Sequence, residues 1–167
     1  MAYRWHPLIK ALVVYDSFFG NTEKIALAIG NALASQADVQ TLRVGDVKPE
    51  DLTGLGLLIV GSPTRAFSAS PATKAWLKAL VPNSLRGVKV AAFDTRADMS
   101  DVNSRVLPAF VKLFGYAAEP IANTLTKRGG MLVIPPEGFF IKDKEGPLKD
   151  GELERATAWA QQIMANG

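Results

Sequence analysis

A chain of 167 residues with 48% hydrophobic and 21% charged residues has the make-up of one globular domain with a sizeable core. Its formal net charge of +3 contains no polybasic run, so no nucleic-acid arm is expected. Cysteine is absent, which excludes disulfides, thiolate catalysis and thiolate metal sites. No apolar stretch approaches the ~20 residues of a membrane span, and Met1–Pro7 lacks the apolar segment of a secretory signal, so a cytoplasmic protein is expected.

In chain order, Leu12–Tyr15 reads as a buried strand, and Ile25, Ile29, Ala32 and Leu33 fall on one helical face. Val39–Val44 alternates like a half-buried strand. Leu55–Val60 is continuously apolar, as in a strand covered on both faces. Ser70-Pro71 opens a helix carried by Trp76, Leu77 and Leu80, which Pro82-Asn83 ends. Val88–Phe93 is a further buried strand. Beyond it the chain has room for two helical pieces. Val102, Val106, Phe110, Leu113 and Phe114 form one, interrupted by Pro108. Ala118–Lys127 forms the other, closed by Gly129-Gly130. Met131–Ile134 is the last strand, with Phe139–Ile141 extending it past Pro135-Pro136. A closing helix runs from Gly151-Glu152 through Leu153, Ala156, Ala160 and Ile163. Five strands alternating with helices predict one domain over residues 1–167, an α/β protein with a parallel sheet covered on both faces.

Ligands of such sheets sit beyond the carboxyl ends of the strands, where the strand order reverses. In the order 2-1-3-4-5, three loops converge there: Asp16–Thr22, Gly61–Ser70 and Asp94–Asp101. The first joins strand to helix through Ser17, Phe18, Phe19, Gly20, Asn21 and Thr22. Backbone amides at such a turn, together with the helix dipole, favour a phosphate. Neither a Walker lysine nor a G-x-G-x-x-G spacing is present, so a single terminal phosphomonoester fits better than a nucleotide triphosphate. Asn21 or Thr22 capping the helix without any ligand is the plainer alternative. In the second loop, Pro63, Thr64, Arg65, Ala66 and Phe67 offer fixed backbone groups, a guanidinium and a ring to a planar ligand. Alternatively Arg65 joins a surface ion pair and Phe67 enters the core. In the third, Asp94, Thr95 and Arg96 can read a heterocycle edge, or Asp94 and Arg96 pair with each other. His6 is the only histidine and precedes the first strand. No nucleophile–histidine system, no paired carboxylates and no metal set can be named, so no catalytic residue and no metal are expected.

Taken together, Tyr15-Asp-Ser-Phe-Phe-Gly-Asn-Thr22 resembles the FMN-phosphate loop of the flavodoxin-like family, with Phe19 where a threonine is common. Pro63-Thr64-Arg65 resembles the isoalloxazine loop of its NAD(P)H:quinone oxidoreductase branch. Phe93-Asp94-Thr95-Arg96 and Gly146–Leu153 are similar to segments of other bacterial and archaeal flavodoxin-family domains. The resemblance covers nearly the whole chain. It implies a three-layer sandwich with a five-stranded parallel sheet of order 2-1-3-4-5 and FMN as cofactor. By position, the phosphate falls to Ser17–Thr22, and the ring to Pro63–Phe67 and Asp94–Arg96.

The resemblance further implies an FMN-binding redox protein passing electrons between a partner protein or small donor and an acceptor. An FMN-dependent NAD(P)H:quinone-type oxidoreductase is the alternative, and a binding module that has lost FMN is another. Two departures stand out. The chain is basic where electron-carrier flavodoxins are usually acidic, and it lacks the active-site histidine of the quinone reductases. An aromatic residue to stack on the ring is also missing from the third loop, although Tyr116 or Phe110 could reach in from the segment that follows.

Overall fold

The run Ile9–Tyr15 (β1) packs apolar side chains into both faces of the sheet, which only a central strand permits. The computed structural model describes residues 8–98 and 116–166. After β1 come α1 (Asn21–Leu33), β2 (Ala37–Arg43), two short 3₁₀ turns and β3 (Leu57–Pro63). Then follow α2 (Pro71–Ala79), β4 (Lys89–Ala97), α3 (Ala118–Lys127), β5 (Met131–Leu132), β6 (Glu137–Ile141) and α4 (Glu152–Asn166). The sheet order is β2-β1-β3-β4-β5, all pairings being parallel, and β6 also pairs with β4. The expected fifth strand is thus two pieces on one neighbour. Lys89 and Val90 meet Met131 and Leu132, while Phe93 to Ala97 meet Glu137 to Ile141. Pro135-Pro136 lies between the pieces, where the missing amides would break a ladder.

Two cores flank the sheet. On one face Ile25, Ile29 and Leu33 of α1 and Trp159, Ala160 and Ile163 of α4 pack on Val13, Ile59 and Phe93. On the other, Leu77 of α2 and Ile121 and Leu125 of α3 pack on Leu12, Leu58, Val60 and Val90. Three layers result, as alternating strand and helix segments require. Phe93, Phe139 and Trp159 meet edge to face with centroids 6.0–6.1 Å apart, an arrangement that aromatic quadrupoles favour. Gly61 is required there, because a Cβ would overlap the Phe93 ring. At the start of α4, Glu152 accepts from the Phe140 amide at 2.7 Å and pairs with Arg155, which ties β6 to the last helix. Burial works to raise the Glu152 carboxyl, but Arg155 and the amide hold it below the ordinary glutamate value.

Two boundaries differ from the sequence reading. Helix α2 stops at Ala79, before Pro82-Asn83. Strand β4 runs on to Ala97, so Asp94, Thr95 and Arg96 are strand residues and not a loop. His6 and the Val102–Phe114 piece, Phe110 and Pro108 included, lie outside the described residues. No described helix is long and apolar enough to cross a membrane.

Candidate functional site

Strands β1, β3 and β4 end side by side, and their trailing segments enclose a small cleft of about 30 Å³. Ser17, Phe18, Phe19, Asn21 and Thr22 line it from the first segment, Pro63, Thr64 and Arg65 from the second, and Thr95 from the third. Ile141 and Lys144 complete it.

The β1–α1 junction is built around an open helix end. Gly20 precedes α1 with φ +90°, a left-handed conformation in which no side chain caps the helix. Ser17 Oγ accepts from the Gly20 amide at 3.0 Å and so closes the turn locally, keeping its own proton to donate. Asn21 does not cap the helix either. Its amide group donates to the Glu145 carbonyl at 2.8 Å and pins the 142–148 loop against α1. Thr22 is buried and shares one hydrogen bond with Thr95, Oγ1 to Oγ1 at 2.7 Å. Two hydroxyls sharing one bond retain one proton for a further acceptor. The ligand-free capping alternative is therefore not what the helix start does.

Arg43, at the end of β2, supports this junction from behind. It donates to the Ser17 carbonyl at 2.9 Å, lies 3.6 Å from the Asp16 carboxylate and pairs with Glu23 at 3.1 Å. It thereby offsets the Asp16 charge, which would otherwise repel an anion in the turn. Arg43 and Lys144 gave no local signal in the sequence, because each arrives from a segment remote from the loop it serves. Lys144 and Arg65 are the cleft's two cations among the described residues, and no carboxylate, histidine or cysteine lines it.

The second segment is a two-residue hairpin. Arg65 and Ser68 exchange both backbone hydrogen bonds, at 2.9 and 3.0 Å, across Ala66 and Phe67. Both central residues have positive φ, 48° and 65°, the primed turn that glycine or asparagine normally occupies. The Arg65 guanidinium lies 5.1 Å from the Phe18 ring centroid and 5.6 Å from that of Phe19. These half-exposed rings and the guanidinium form the lip of the cleft.

Along β4, pleating sends neighbouring residues to opposite faces. Thr95 faces the cleft. Asp94 and Arg96 face α3 and form a bidentate pair, at 2.7 and 2.8 Å, between a buried carboxylate and a partly buried guanidinium. Asp94 also accepts from the Ala118 amide at 2.9 Å, while Thr64 accepts from the Ala117 amide at 3.1 Å. Burial pushes the Asp94 carboxyl up, against the pull of Arg96 and the Ala118 amide. Arg96 stacks on Tyr116, 3.6 Å from its centroid, and the two line a separate hollow of about 270 Å³ with Pro135 and Pro136. Burial pushes the Tyr116 phenol up. Of the three third-segment residues singled out from sequence, only Thr95 reaches the cleft. Asp94 and Arg96 hold the start of α3, and Tyr116 stacks on Arg96 in the neighbouring hollow. Ala66 and Phe67 shape the hairpin without lining the cleft.

No protein-family model and no curated protein matches the chain. Solved structures do. A flavodoxin from the domain Archaea is 26% identical with a TM-score of 0.75, the match covering 94% of this chain and 97% of that one. Flavodoxin 2 from Bacillus cereus is 22% identical with a TM-score of 0.69, over 95% and 99% of the two chains. The rubredoxin oxygen:oxidoreductase of Desulfovibrio gigas is 20% identical with a TM-score of 0.69, over 96% of this chain but 37% of that one.

Proposed function

We propose that this chain, flavodoxin-like in its α/β fold, acts as one domain that holds FMN at the ends of β1, β3 and β4. There it serves as an electron carrier. The observation that carries this reading is the start of α1, whose first-turn amides have no side-chain cap beside Gly20. An anionic phosphate satisfies such amides and suits the positive end of the helix dipole.

The residues present fit the phosphate end of the group. Ser17 and the Thr22–Thr95 pair have hydroxyl protons to give, Lys144 adds positive charge, and Arg43 neutralises Asp16 behind the turn. A cleft of about 30 Å³ admits a water or little more. Accommodating a flavin ring there calls for the cleft to widen, and the Arg65–Ser68 hairpin with its Phe18 and Phe19 contacts is the segment proposed to give way. When bound, FMN would supply one- and two-electron redox chemistry that no side chain of this chain provides. The protein's own share is binding, orientation and exclusion of water. Among the described residues the cleft lining contains no carboxylate, histidine or cysteine, which fits a carrier whose flavin does the chemistry.

Equilibrium titration of the flavin-free protein with FMN and with riboflavin tests the reading. FMN is expected to bind at least tenfold more tightly, in keeping with about 1.5–3 kcal/mol for a charge-assisted hydrogen bond. Equal affinity for the two, or binding of neither, overturns it. Steady-state assays with NADH or NADPH and a panel of quinones separate carrier from reductase, because rapid saturable turnover by the isolated protein would reject the carrier.

A further inference from the structure

A second feature of the molecule adjoins the Arg65–Ser68 hairpin at Ser68. Helices α2 and α3 run alongside each other and leave a groove of about 340 Å³ between them. It begins at Ser68, the residue paired with Arg65, and ends at Lys78 and Arg128. Leu77 and Ile121 lie nearly buried at its base, and Ala69 and Pro120 give it accessible apolar surface. Lys74, Lys78, Lys127 and Arg128 form its walls, and no Asp or Glu lines it. None of these four cations has an ion-pair partner among the described residues. Arg128 Nε is also buried without a hydrogen-bond acceptor, a position that ordinarily costs free energy unless something else satisfies it.

The charge is concentrated along the chain as well. Between Leu52 and Phe93 there is no Asp or Glu, while Arg65, Lys74, Lys78, Arg86 and Lys89 fall within that span. The rest of the sequence carries 14 Lys and Arg against 16 Asp and Glu. Of those five, Lys74 and Lys78 line the groove, joined there by Lys127 and Arg128 of the α3 end, and an apolar lining between basic walls is a surface with a specific complement.

We propose that the α2–α3 groove docks an acidic protein partner, through a segment that lays apolar side chains over Ala69 and Pro120 and sets carboxylates against the flanking cations. The groove's position beside the hairpin would bring that partner to the mouth of the FMN cleft. This consequence rests on the FMN reading, whereas the docking itself does not. A nucleic-acid backbone would use the cations but has no use for the apolar lining. The chain's own residues 99–115 carry a single acid, Asp101, and so do not supply the carboxylates that four cations call for.

The test uses flavin-free, isotope-labelled full-length protein, so that its failure is separable from failure of the FMN reading. The probe is an amphipathic helical peptide with leucine on one face and glutamate on the other. The expected result is amide shift changes confined to α2, α3 and Ser68, with an affinity that falls steeply as salt rises. The triple variant Lys74→Glu, Lys78→Glu, Lys127→Glu should bind at least about tenfold more weakly, as should the milder triple glutamine variant. All three positions are exposed, so both variants should fold. A Lys48→Glu control on the β2–β3 connection should bind normally. Unchanged affinity in both triple variants, or shift changes elsewhere, overturns the proposal. So does tighter binding of the groove to single-stranded RNA or to phosphatidylglycerol vesicles than to the peptide.

Discussion

Two strand-to-helix junctions stand side by side at the carboxyl edge of this sheet, and they are built on opposite plans. At β3–α2 every local need is met. Ser70 caps the helix by accepting from the Thr73 amide at 3.2 Å, Pro71 removes one unpaired donor, and the Ser70 amide donates to Ser62 Oγ at 2.9 Å. At β1–α1 nothing caps the helix, and the neighbouring polar side chains are turned to other tasks. The α3 junction follows the first plan, with Asp94 and Thr64 taking the Ala118 and Ala117 amides. An open helix start beside two closed ones is the contrast on which the proposed phosphate site rests.

The largest expected effect breaks a closed junction. Asp94→Ala leaves the Arg96 guanidinium partly buried without its carboxylate and the α3 start without an acceptor. Losing one partner of a buried pair should cost about 3–5 kcal/mol of stability. Urea denaturation of wild type and variant measures it. A loss below about 1 kcal/mol would show that the pair does not hold the junction.

The next effect sharpens the contrast at the open junction. Gly20→Asn and Gly20→Asp share the cost of a left-handed residue, and a Cβ there meets no atom within 4 Å. They differ in charge alone. The aspartate should favour the unliganded helix slightly, by about 0.3–1 kcal/mol. It should nevertheless weaken FMN binding roughly tenfold relative to the asparagine, because like charges so close repel. Riboflavin, lacking the phosphate, should not distinguish the two variants. Identical FMN affinities would place the phosphate elsewhere.

Ser70→Ala is the counterpart at the closed junction. It removes a cap worth about 1 kcal/mol and should leave FMN affinity unchanged, since Ser70 does not line the cleft. Thermal unfolding and flavin titration of the same preparation check both halves. A change in affinity comparable to that of Gly20→Asp would mean that the junctions are not independent.

The layers were legible in the sequence because they rest on local signals, whereas the strand order came through the resemblance to the flavodoxin-like family. Continuous apolar runs marked β1, β3 and β4, helical spacing marked α1, and Ser70-Pro71 and Gly129-Gly130 bracketed α2 and α3. The turn proposed to hold a phosphate stood out for the same reason, since glycine and hydroxyls after a buried strand are a local pattern. The third segment was misplaced because polar residues at the end of an apolar run look like the start of a loop. Extending the period-two alternation of Phe93 through Ala97 would have put Thr95 on one face and Asp94 with Arg96 on the other. Arg43, Ile141 and Lys144 could not be read at all. Their roles come from β2 and from the loop after β6, and only the tertiary fold brings them to the first turn.

The smallest expected effect concerns the hairpin that covers the cleft. Ala66 and Phe67 occupy a primed turn that suits glycine or asparagine, so the loop carries conformational strain that the flanking structure must sustain. Ala66 is exposed, so Ala66→Gly removes strain without removing a packed side chain. It should stabilise the protein by about 0.5–1 kcal/mol, less the added freedom of glycine in the unfolded chain. The functional sign is the informative part. If the hairpin must leave Phe18 and Phe19 to admit a ring, relaxing the closed turn deepens the closed state and weakens FMN slightly. If the closed turn is instead the form that clasps the ring, the same substitution strengthens FMN. Measuring stability and FMN affinity together therefore tells which of the two states the strain opposes. A stabilised protein with tighter FMN would overturn the opening motion inferred from the size of the cleft.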